Sequence, residues 1–106
     1  MKVVALRPAK AEIREACAYY EGQREGLGDD FLDAVDDAVR RLTAFPKAWT
    51  RLSAKVRRCR TNRFPYGIVY HVAGDTIIIL AVMHLKRRPG YWRDRLKDLP
   101  TTTEEE

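Results

Sequence analysis

The sequence predicts an α+β domain of element order β-α-α-β-β-β, in which a helical hairpin packs on a small, largely antiparallel sheet. Apolar residues recur at helical spacing over residues 8–24 and again over 31–45. Alternating or wholly apolar runs follow from residue 56 onwards, and glycine and proline separate the segments. Helices grouped in one half of a chain and strands in the other are typical of a helical layer on a sheet.

The first half of the chain predicts one short strand and two helices. MKVVAL is the strand, and Pro8 suits the first turn of the next helix, where the N–H has no helical partner. The glycines of GQREGLG (22–28) end that helix. The second helix begins near Asp29 and Asp30, whose carboxylates favour the positive end of its dipole, and Pro46 marks its end. Two helices on so short a connection form a hairpin.

The second half predicts three strands. VRRCRT (56–61) alternates, so that Arg58 and Cys59 face opposite sides. FPYGIVYHV (64–72) is rich in β-branched and aromatic residues, and the turn AGD joins it to TIIILAVM (76–83). Because this last strand is apolar on both faces, we expect it inside the sheet and covered by the helices. The opposite sheet face would then be free to carry basic residues.

Length and composition indicate a single domain over residues 1–98, followed by an acidic tail, 99–106, that we expect to be disordered. Cys17 and Cys59 lie far apart and form no metal-ligand spacing, so we expect two reduced thiols, no metal and no cofactor. No apolar run reaches the roughly 18 residues that a membrane crossing needs. Without a secretory signal either, the sequence predicts a cytoplasmic protein.

The positive charge is concentrated in one half of the chain. Residues 1–50 hold eight basic and nine acidic side chains, whereas residues 51–100 hold twelve basic and three acidic ones. The second half therefore carries a net charge of +9, although the whole chain carries only +5. A basic surface confined to one half indicates an anionic partner, and it exceeds what solubility alone requires.

The segment HLKRRPGYWRDR (84–95) follows the apolar strand directly and combines cations with aromatic residues. Tyr91 and Trp92 are large, rigid side chains of the kind that anchor interfaces, and a Pro-Gly turn would present them. The alternative is that Trp92 folds back over the open end of the sheet. We expect the cations of this segment to cluster in space with those of residues 57–63.

Three stretches carry a family resemblance: YYEGQREGLGDDFLDAV, the VRRCR…RFPYGIVYHV hairpin and the closing IIILAVMHLKRRPGYW. In this order they resemble the RelE/ParE superfamily of type II toxin–antitoxin toxins, over about residues 3–95. The resemblance implies a growth-inhibiting toxin, held in a hetero-oligomer by an acidic, partly disordered antitoxin encoded beside it. RelE-like members cut mRNA in the ribosome without a metal. ParE-like members bind DNA gyrase and block it.

A metal-free ribonuclease needs one group to take a proton from the 2′-OH, another to protonate the leaving oxygen, and cations for the phosphoryl charge. The resemblance to RelE-like enzymes implies the following set: Lys55, Arg58, Arg63, His84, Arg88 and Tyr91. The stretch 51–74 contains no Asp or Glu to act as base. His84 shares the strand parity of Leu80 and Val82, which favours a structural role. An unambiguous proton-transfer pair is therefore missing.

A gyrase-binding toxin needs a surface rather than a catalytic pair. We therefore expect a gyrase poison, with a ribosome-dependent mRNA endoribonuclease as the alternative. A plain nucleic-acid-binding domain ranks third, because no helix-turn-helix, zinc or RNP signature accompanies the charge. The expected target-binding residues are cations and aromatics of the two basic segments: Arg58, Arg60, Arg63, Lys86, Arg87, Arg88, Tyr91 and Trp92. The antitoxin is expected on the helix grooves and the cationic patch.

Overall fold

Two helices cover one face of a five-stranded sheet in the computed structural model, which describes residues 1–99. The elements in chain order are β1 (Lys2–Ala5), α1 (Arg7–Gln23), α2 (Leu27–Ala44), β2 (Thr50–Arg51), β3 (Arg57–Arg60), β4 (Tyr66–Ala73), β5 (Thr76–His84) and a 3-10 helix (Arg93–Asp98). The predicted α+β class is confirmed. The structure adds β2, whose two residues are too few to show a periodicity. Apart from Leu99, the predicted acidic tail lies outside the described residues.

The strand order in the sheet is β1-β5-β4-β3-β2. β1 pairs with β5 in parallel, and every other pairing is antiparallel. β5 therefore lies inside the sheet, between β1 and β4, as its wholly apolar sequence predicts. The ends of β3 and β5 and the start of β4 meet at one end of the sheet, because Arg60 pairs with Gly67 and Gly67 with Met83.

A β-bulge interrupts the pairing of β4 with β5. Val69 pairs with Ala81, but the next residue, Tyr70, pairs with Ile79. Leu80 is thus an extra residue in β5, and Leu80 and Ala81 both belong to the same core cluster. An extra residue in one strand reverses the alternation of side chains beyond it. The bulge therefore determines on which face of the sheet each side chain at the end of β5 lies.

His84 was predicted to share one face with Leu80 and Val82, and because of this bulge the prediction is wrong for Leu80. Leu80 lies on the sheet face away from the helices, whereas Val82 packs in the core between the helices and the sheet. His84 shares the face of Val82, and its ring meets that of Tyr66 edge-on at 5.2 Å between centroids. His84 is only partly buried there. A strict two-residue alternation cannot reveal such a reversal.

The first core lies between the helices and the sheet. The apolar stripe of α2 recurs every three or four residues, as predicted, and four of its members are buried: Phe31, Val35, Ala38 and Leu42. Ile68, Tyr70 and Ile77 face them from the sheet and are fully buried. Burial of this stripe is the main reason that α2 lies on the sheet.

The second core covers the opposite face of the sheet, which the sequence predicted to be open. Trp92 is 2% exposed and packs with Val56, Val69, Leu80 and Met83. The chain after β5 folds back to bring it there. Because β5 is apolar on both faces, its second face also requires a cover, and the C-terminal segment supplies it. The basic residues are consequently displaced to the rim of this core.

The connection between α1 and α2 is held by Glu21. Its carboxylate accepts hydrogen bonds from the backbone N–H of Gly26, at 3.1 Å, and of Gly28, at 3.0 Å. These two bonds lower the pKa of Glu21 below its ordinary value. Gly28 also lies close to α1, since a Cβ there would stand 2.9 Å from the carbonyl oxygen of Cys17. The hairpin thus depends on the glycines seen in the sequence.

Candidate functional site

Glu12 on α1 is the acceptor to which the C-terminal segment is tied. Its two carboxylate oxygens accept hydrogen bonds from the Tyr91 hydroxyl, at 2.8 Å, and from Arg95, at 2.8 and 2.9 Å. The backbone N–H of Val82 donates to the same carboxylate at 2.9 Å. β1 pairs with β5 only as far as Ile79, so Val82 has no strand neighbour on that side. Glu12 takes the place of that neighbour.

Tyr91 supports an arginine rather than presenting its hydroxyl. The ring is half-buried, and the guanidinium carbon of Arg87 lies 3.8 Å from the ring centroid. Burial, together with the hydrogen bond to Glu12, raises the pKa of the Tyr91 hydroxyl well above its ordinary value. The hydroxyl is therefore held as a donor to Glu12, and the ring fixes the position of Arg87.

A groove of about 190 Å³ runs along the rim of the second core. Met83 and Trp92 form part of its apolar floor, and Arg58, Arg87 and Arg93 contribute guanidinium groups. Arg58 comes from β3 and Arg87 from the loop after β5, so the structure brings members of both basic segments together. We call this the rim groove. Its side chains can bind an anionic group, because guanidinium offers several fixed donors and stays protonated.

Arg58 reaches the groove by crossing over Gly67 on the neighbouring strand. A Cβ at Gly67 would stand 2.7 Å from both Cγ and Cδ of Arg58, which is closer than such atoms can approach. The Nε atom of Arg58 is buried without a hydrogen-bond partner. Burial, and to a smaller degree the positive charge of Arg60, lowers the pKa of the Arg58 guanidinium. Arg58 is thus a partly desolvated cation.

Trp92 is not available to a target in this structure, which corrects its predicted role as an anchor. Its side chain is 2% exposed and lies in the second core. The alternative, that Trp92 folds back over the sheet, is the arrangement found. Tyr91 is likewise partly buried, with its hydroxyl on Glu12. Their contribution to the rim groove is to position the arginines beside them.

Lys55 lies at the other end of the sheet from the proposed ribonuclease partners. It precedes Arg57, which pairs with Tyr70, whereas His84 pairs with Tyr66. The four residues from Tyr66 to Tyr70 alone span about 13 Å at ~3.3 Å per residue. The side chain of Lys55 is exposed. The six residues suggested for RNA cleavage therefore do not form one cluster.

Arg63 also stands apart from the rim groove. It has a left-handed backbone with φ of 72° and is exposed in the loop between β3 and β4. Its guanidinium lies 3.6 Å from the carboxylate of Asp30 on α2 and 5.4 Å from the ring centroid of Phe64. Its charge is thus turned towards the helix side of the molecule.

The remaining predicted residues are distributed around the end of β5. Lys86 and Arg88 are exposed on the loop that follows this strand, outside the rim groove. The backbone N–H of Lys86 donates to Nδ1 of His84 at 3.0 Å, so this ring nitrogen is an acceptor. Arg60 is exposed at the end of β3 and lines a different cavity. Of the eight predicted target-binding residues, the rim groove gathers Arg58, Arg87 and Trp92.

Neither a metal-binding cluster nor a membrane-spanning helix is found among residues 1–99. Within this range no three His, Cys, Asp or Glu side chains are grouped in a way that could hold a metal ion. None of the helices in the same range has the length and apolar character needed to cross a membrane. Cys17 and Cys59 are free thiols, and Cys59 is buried.

Sequence reasoning missed Glu12, Arg95 and Arg93. Glu12 and Arg95 are 83 residues apart, and each resembles an ordinary charged residue on a helix. A weak signal existed in the 3.6-residue pattern, since Glu12 lies next to Ile13 near the apolar side of α1. Only the fold reveals that the two charges meet.

The sequence matches a toxin family, and the fold matches a solved structure. The family model for the ParE toxin of the type II toxin-antitoxin system, parDE, matches residues 3–89. A solved structure, described as the chromosomal ParDE TA system from P. aeruginosa, superposes with a TM-score of 0.58. That match has 23% sequence identity and covers 79% of this chain and 95% of the other, so it supports the fold. No curated protein matches the chain. With most of its length matched by that family model, the chain belongs to the ParE toxin family of type II toxin–antitoxin systems.

Proposed function

We propose that this protein is a growth-inhibiting toxin that binds and poisons DNA gyrase and is neutralised by a cognate acidic antitoxin. The single observation that carries the choice of gyrase over mRNA is the composition of the rim groove. Its ionisable side chains are the guanidinium groups of Arg58, Arg87 and Arg93. Guanidinium does not lose its proton at neutral pH, so it holds an anion but does not act as a general base.

The groups that a ribonuclease would use are engaged or remote. The Tyr91 hydroxyl donates to Glu12, and burial raises its pKa. Nδ1 of His84 accepts from the backbone N–H of Lys86. Lys55 lies at the opposite end of the sheet from His84. General acid–base catalysis requires its groups within hydrogen-bond reach of one reacting centre, so these positions favour binding over RNA cleavage.

Two features of the surface support an antitoxin partner. The rim groove and its surroundings are cationic, which complements the acidic segment expected of such a partner. β1 is an edge strand of the described sheet, and its Val3 and Val4 are 39% and 44% exposed. An edge with apolar side chains is suited to pairing with a strand of another chain. We therefore propose that the antitoxin covers the rim groove and pairs with β1.

Two parallel assays test the choice of target. Purified toxin is added to gyrase with supercoiled DNA, and separately to translating ribosomes whose mRNA ends are mapped. We expect trapped gyrase–DNA complexes together with intact message. Codon-positioned cuts in the message, with normal supercoiling, would instead identify a ribonuclease and refute the gyrase proposal.

A matched pair of variants ties the activity to the rim groove. Arg87→Gln removes one guanidinium from the groove, and Arg14→Gln removes one from an exposed position on α1. Charge-assisted contacts are worth about 1.5–3 kcal/mol, so Arg87→Gln should weaken gyrase poisoning by about tenfold or more. Arg14→Gln should leave it nearly unchanged. Equal loss in both variants would show that net charge, rather than the groove, is responsible.

The antitoxin proposal is tested by co-expression. The chain expressed alone should arrest growth, and the acidic protein encoded beside it should restore growth and co-purify with the toxin. Lys2 and Leu6 donate their backbone N–H groups to β5, so by alternation the N–H of Val3 points away from it. Replacing Val3 by Pro would remove this outward donor from β1 and should weaken that complex. Harmless expression of the folded chain would count against a toxin.

A further inference from the structure

A second cavity, which shares only Arg58 with the rim groove, lies at the open edge of β3. β2 pairs only with Arg57 and Arg58, so the outer side of β3 has no strand neighbour beside Arg60. The cavity encloses about 390 Å³ between this edge and the end of α2. The residues that matter for its chemistry are Arg41, Trp49, Thr50, Arg58, Arg60 and Asn62. We call it the edge cavity.

Two buried donors without a partner belong to residues of this cavity. Among residues 1–99, the side-chain nitrogen or oxygen atoms that are buried and form no hydrogen bond are Trp49 Nε1 and Arg58 Nε. Both residues line the edge cavity. Both atoms can only donate, and native proteins leave few such groups unsatisfied. Two unpaired donors at one cavity indicate a ligand that offers acceptors.

The positive charge of the edge cavity favours an anionic ligand. Arg41 is paired with Asp37 at 2.9 Å, but the ion pairs found within residues 1–99 include neither Arg58 nor Arg60. Burial, and to a smaller degree repulsion from Arg60, lowers the pKa of the Arg58 guanidinium. An anion between them would relieve this repulsion.

Arg41 forms a fixed wall of the edge cavity. Its guanidinium donates to the carbonyl oxygen of Arg60 at 3.0 Å and lies 5.6 Å from the ring centroid of Trp49. The amide of Asn62 donates to Asp37 at 3.2 Å. These contacts order the wall before a ligand arrives. The exposed side chain of Arg60 remains free to close on a ligand.

We propose that the edge cavity binds a phosphate group of a nucleotide, with Arg58, Arg60 and the Trp49 indole N–H as donors. Paired guanidinium groups match the several oxygens of a phosphate, and arginine is the usual residue for such recognition. The volume lies in the range of sites for ligands of nucleotide size, whereas a lone carboxylate would leave most of it unfilled. This inference goes beyond the proposed function, because it holds whichever target the toxin attacks.

The test uses the indole N–H signals of the purified toxin in nitrogen-edited NMR spectra. Trp49 and Trp92 give separate signals, and Trp49→Phe assigns them. Adenosine 5′-monophosphate and a five-residue thymidine oligonucleotide are titrated separately. We expect the Trp49 signal to shift downfield with saturation while that of the buried Trp92 stays in place. A Trp49 signal that does not move with either probe would overturn the proposal.

Two variants with the same net charge test whether binding depends on the edge cavity. Arg60→Gln should weaken binding of both probes by about tenfold or more, as expected for loss of a charge-assisted hydrogen bond. Arg40→Gln, on the neighbouring exposed face of α2 and outside the cavity, should change it by less than about twofold. Equal affinities in the two variants would overturn the site assignment.

The probes also distinguish the source of the phosphate. Equal affinity for the mononucleotide and the oligonucleotide identifies a site for a free nucleotide. Tighter binding of the oligonucleotide identifies a nucleic-acid backbone, provided that the slope of log K against log salt becomes shallower by about 0.7 in Arg60→Gln, as for the loss of one phosphate contact. Either result supports the proposal. A Trp49 shift with hexaglutamate but with neither phosphate probe would overturn it in favour of an acidic protein segment.

Discussion

Glu12 and Arg95 form a bidentate ion pair across 83 residues of sequence, with nitrogen–oxygen distances of 2.8 and 2.9 Å. Their side chains are only 13% and 18% exposed. Arg95 also donates to the carbonyl oxygen of Leu80, the extra residue of the bulge in β5, at 3.0 Å. The pair therefore joins α1, the bulge and the C-terminal segment, and this segment in turn carries two of the three arginines of the rim groove, Arg87 and Arg93.

Breaking this pair should destabilise the fold strongly. Glu12→Ala leaves the Arg95 guanidinium largely buried without its counter-charge and removes the acceptor of Tyr91 and Val82. We expect a loss of about 3–5 kcal/mol in the free energy of unfolding, measured by urea denaturation. Glu15→Ala, which removes an exposed carboxylate one turn along α1, should change it by less than about 0.5 kcal/mol. Similar losses in both variants would contradict the role given to Glu12.

Trp92 should contribute to stability rather than to direct target contact. Trp92→Ala removes a side chain that is 2% exposed and should cost about 3–5 kcal/mol in denaturant unfolding. Tyr19→Ala removes an aromatic ring that is 61% exposed and should cost under about 1 kcal/mol. A Trp92→Ala protein of normal stability that no longer inhibits growth would instead restore Trp92 as an anchor.

Gly67 should matter because Arg58 lies across it. In Gly67→Ala the new Cβ would meet Cγ and Cδ of Arg58 at 2.7 Å, so the arginine stem must move. We expect a loss of about 1–3 kcal/mol in thermal or urea unfolding, together with weaker anion binding in the rim groove. Gly22→Ala is the control, since nothing lies within 4 Å of its Cβ. It should stabilise the protein by about 0.5 kcal/mol, because alanine favours a helix.

Glu21 should make the helical hairpin sensitive to acid. The backbone N–H groups of Gly26 and Gly28 lower its pKa in the folded state below the ordinary 4.5. A lowered folded-state pKa gives stability that is fully present above pH 4.5 and is lost as the pH falls through the folded-state value. Urea unfolding from pH 7 to 2.5 should therefore show the advantage of the native chain over Glu21→Gln disappearing below pH 4.5.

A second variant separates this local effect from net charge. Glu25→Gln removes the same charge four residues further along, in the connection between α1 and α2. The difference between the pH profiles of the two variants isolates the contribution of the two backbone hydrogen bonds of Glu21. Two identical profiles would mean that these bonds do not contribute.

Much of the fold followed from local patterns. The spacing of Phe31, Val35 and Leu42 predicts both the existence of α2 and the side that it buries. The apolar run of β5 predicts an interior strand. The bulge at Leu80 escaped prediction, because an extra residue leaves no trace in a strand whose residues are all apolar. That His84 and Leu80 lie on opposite faces was missed for the same reason.

The sequence predicted which kinds of residue form the candidate site, but not how they are arranged. The sequence indicated two basic segments, and Arg58 and Arg87 do meet in one groove. It did not indicate that Lys55 lies at the far end of the sheet, because that distance depends on the register of β3 against β4. It also did not indicate Trp49 as part of a cavity, since β2 is only two residues long.

By itself, the sequence determined the class of fold, the order of the two helices and of every strand except β2, and the half of the chain that carries the positive charge. These properties follow from the periodicity of apolar residues and from counting, and neither requires knowledge of distant contacts. Only the tertiary structure decided that Trp92 is buried, that Glu12 binds Tyr91 and Arg95, and where each arginine side chain lies. Such pairings join residues that are far apart in the chain, and they depend on how the C-terminal segment crosses the sheet.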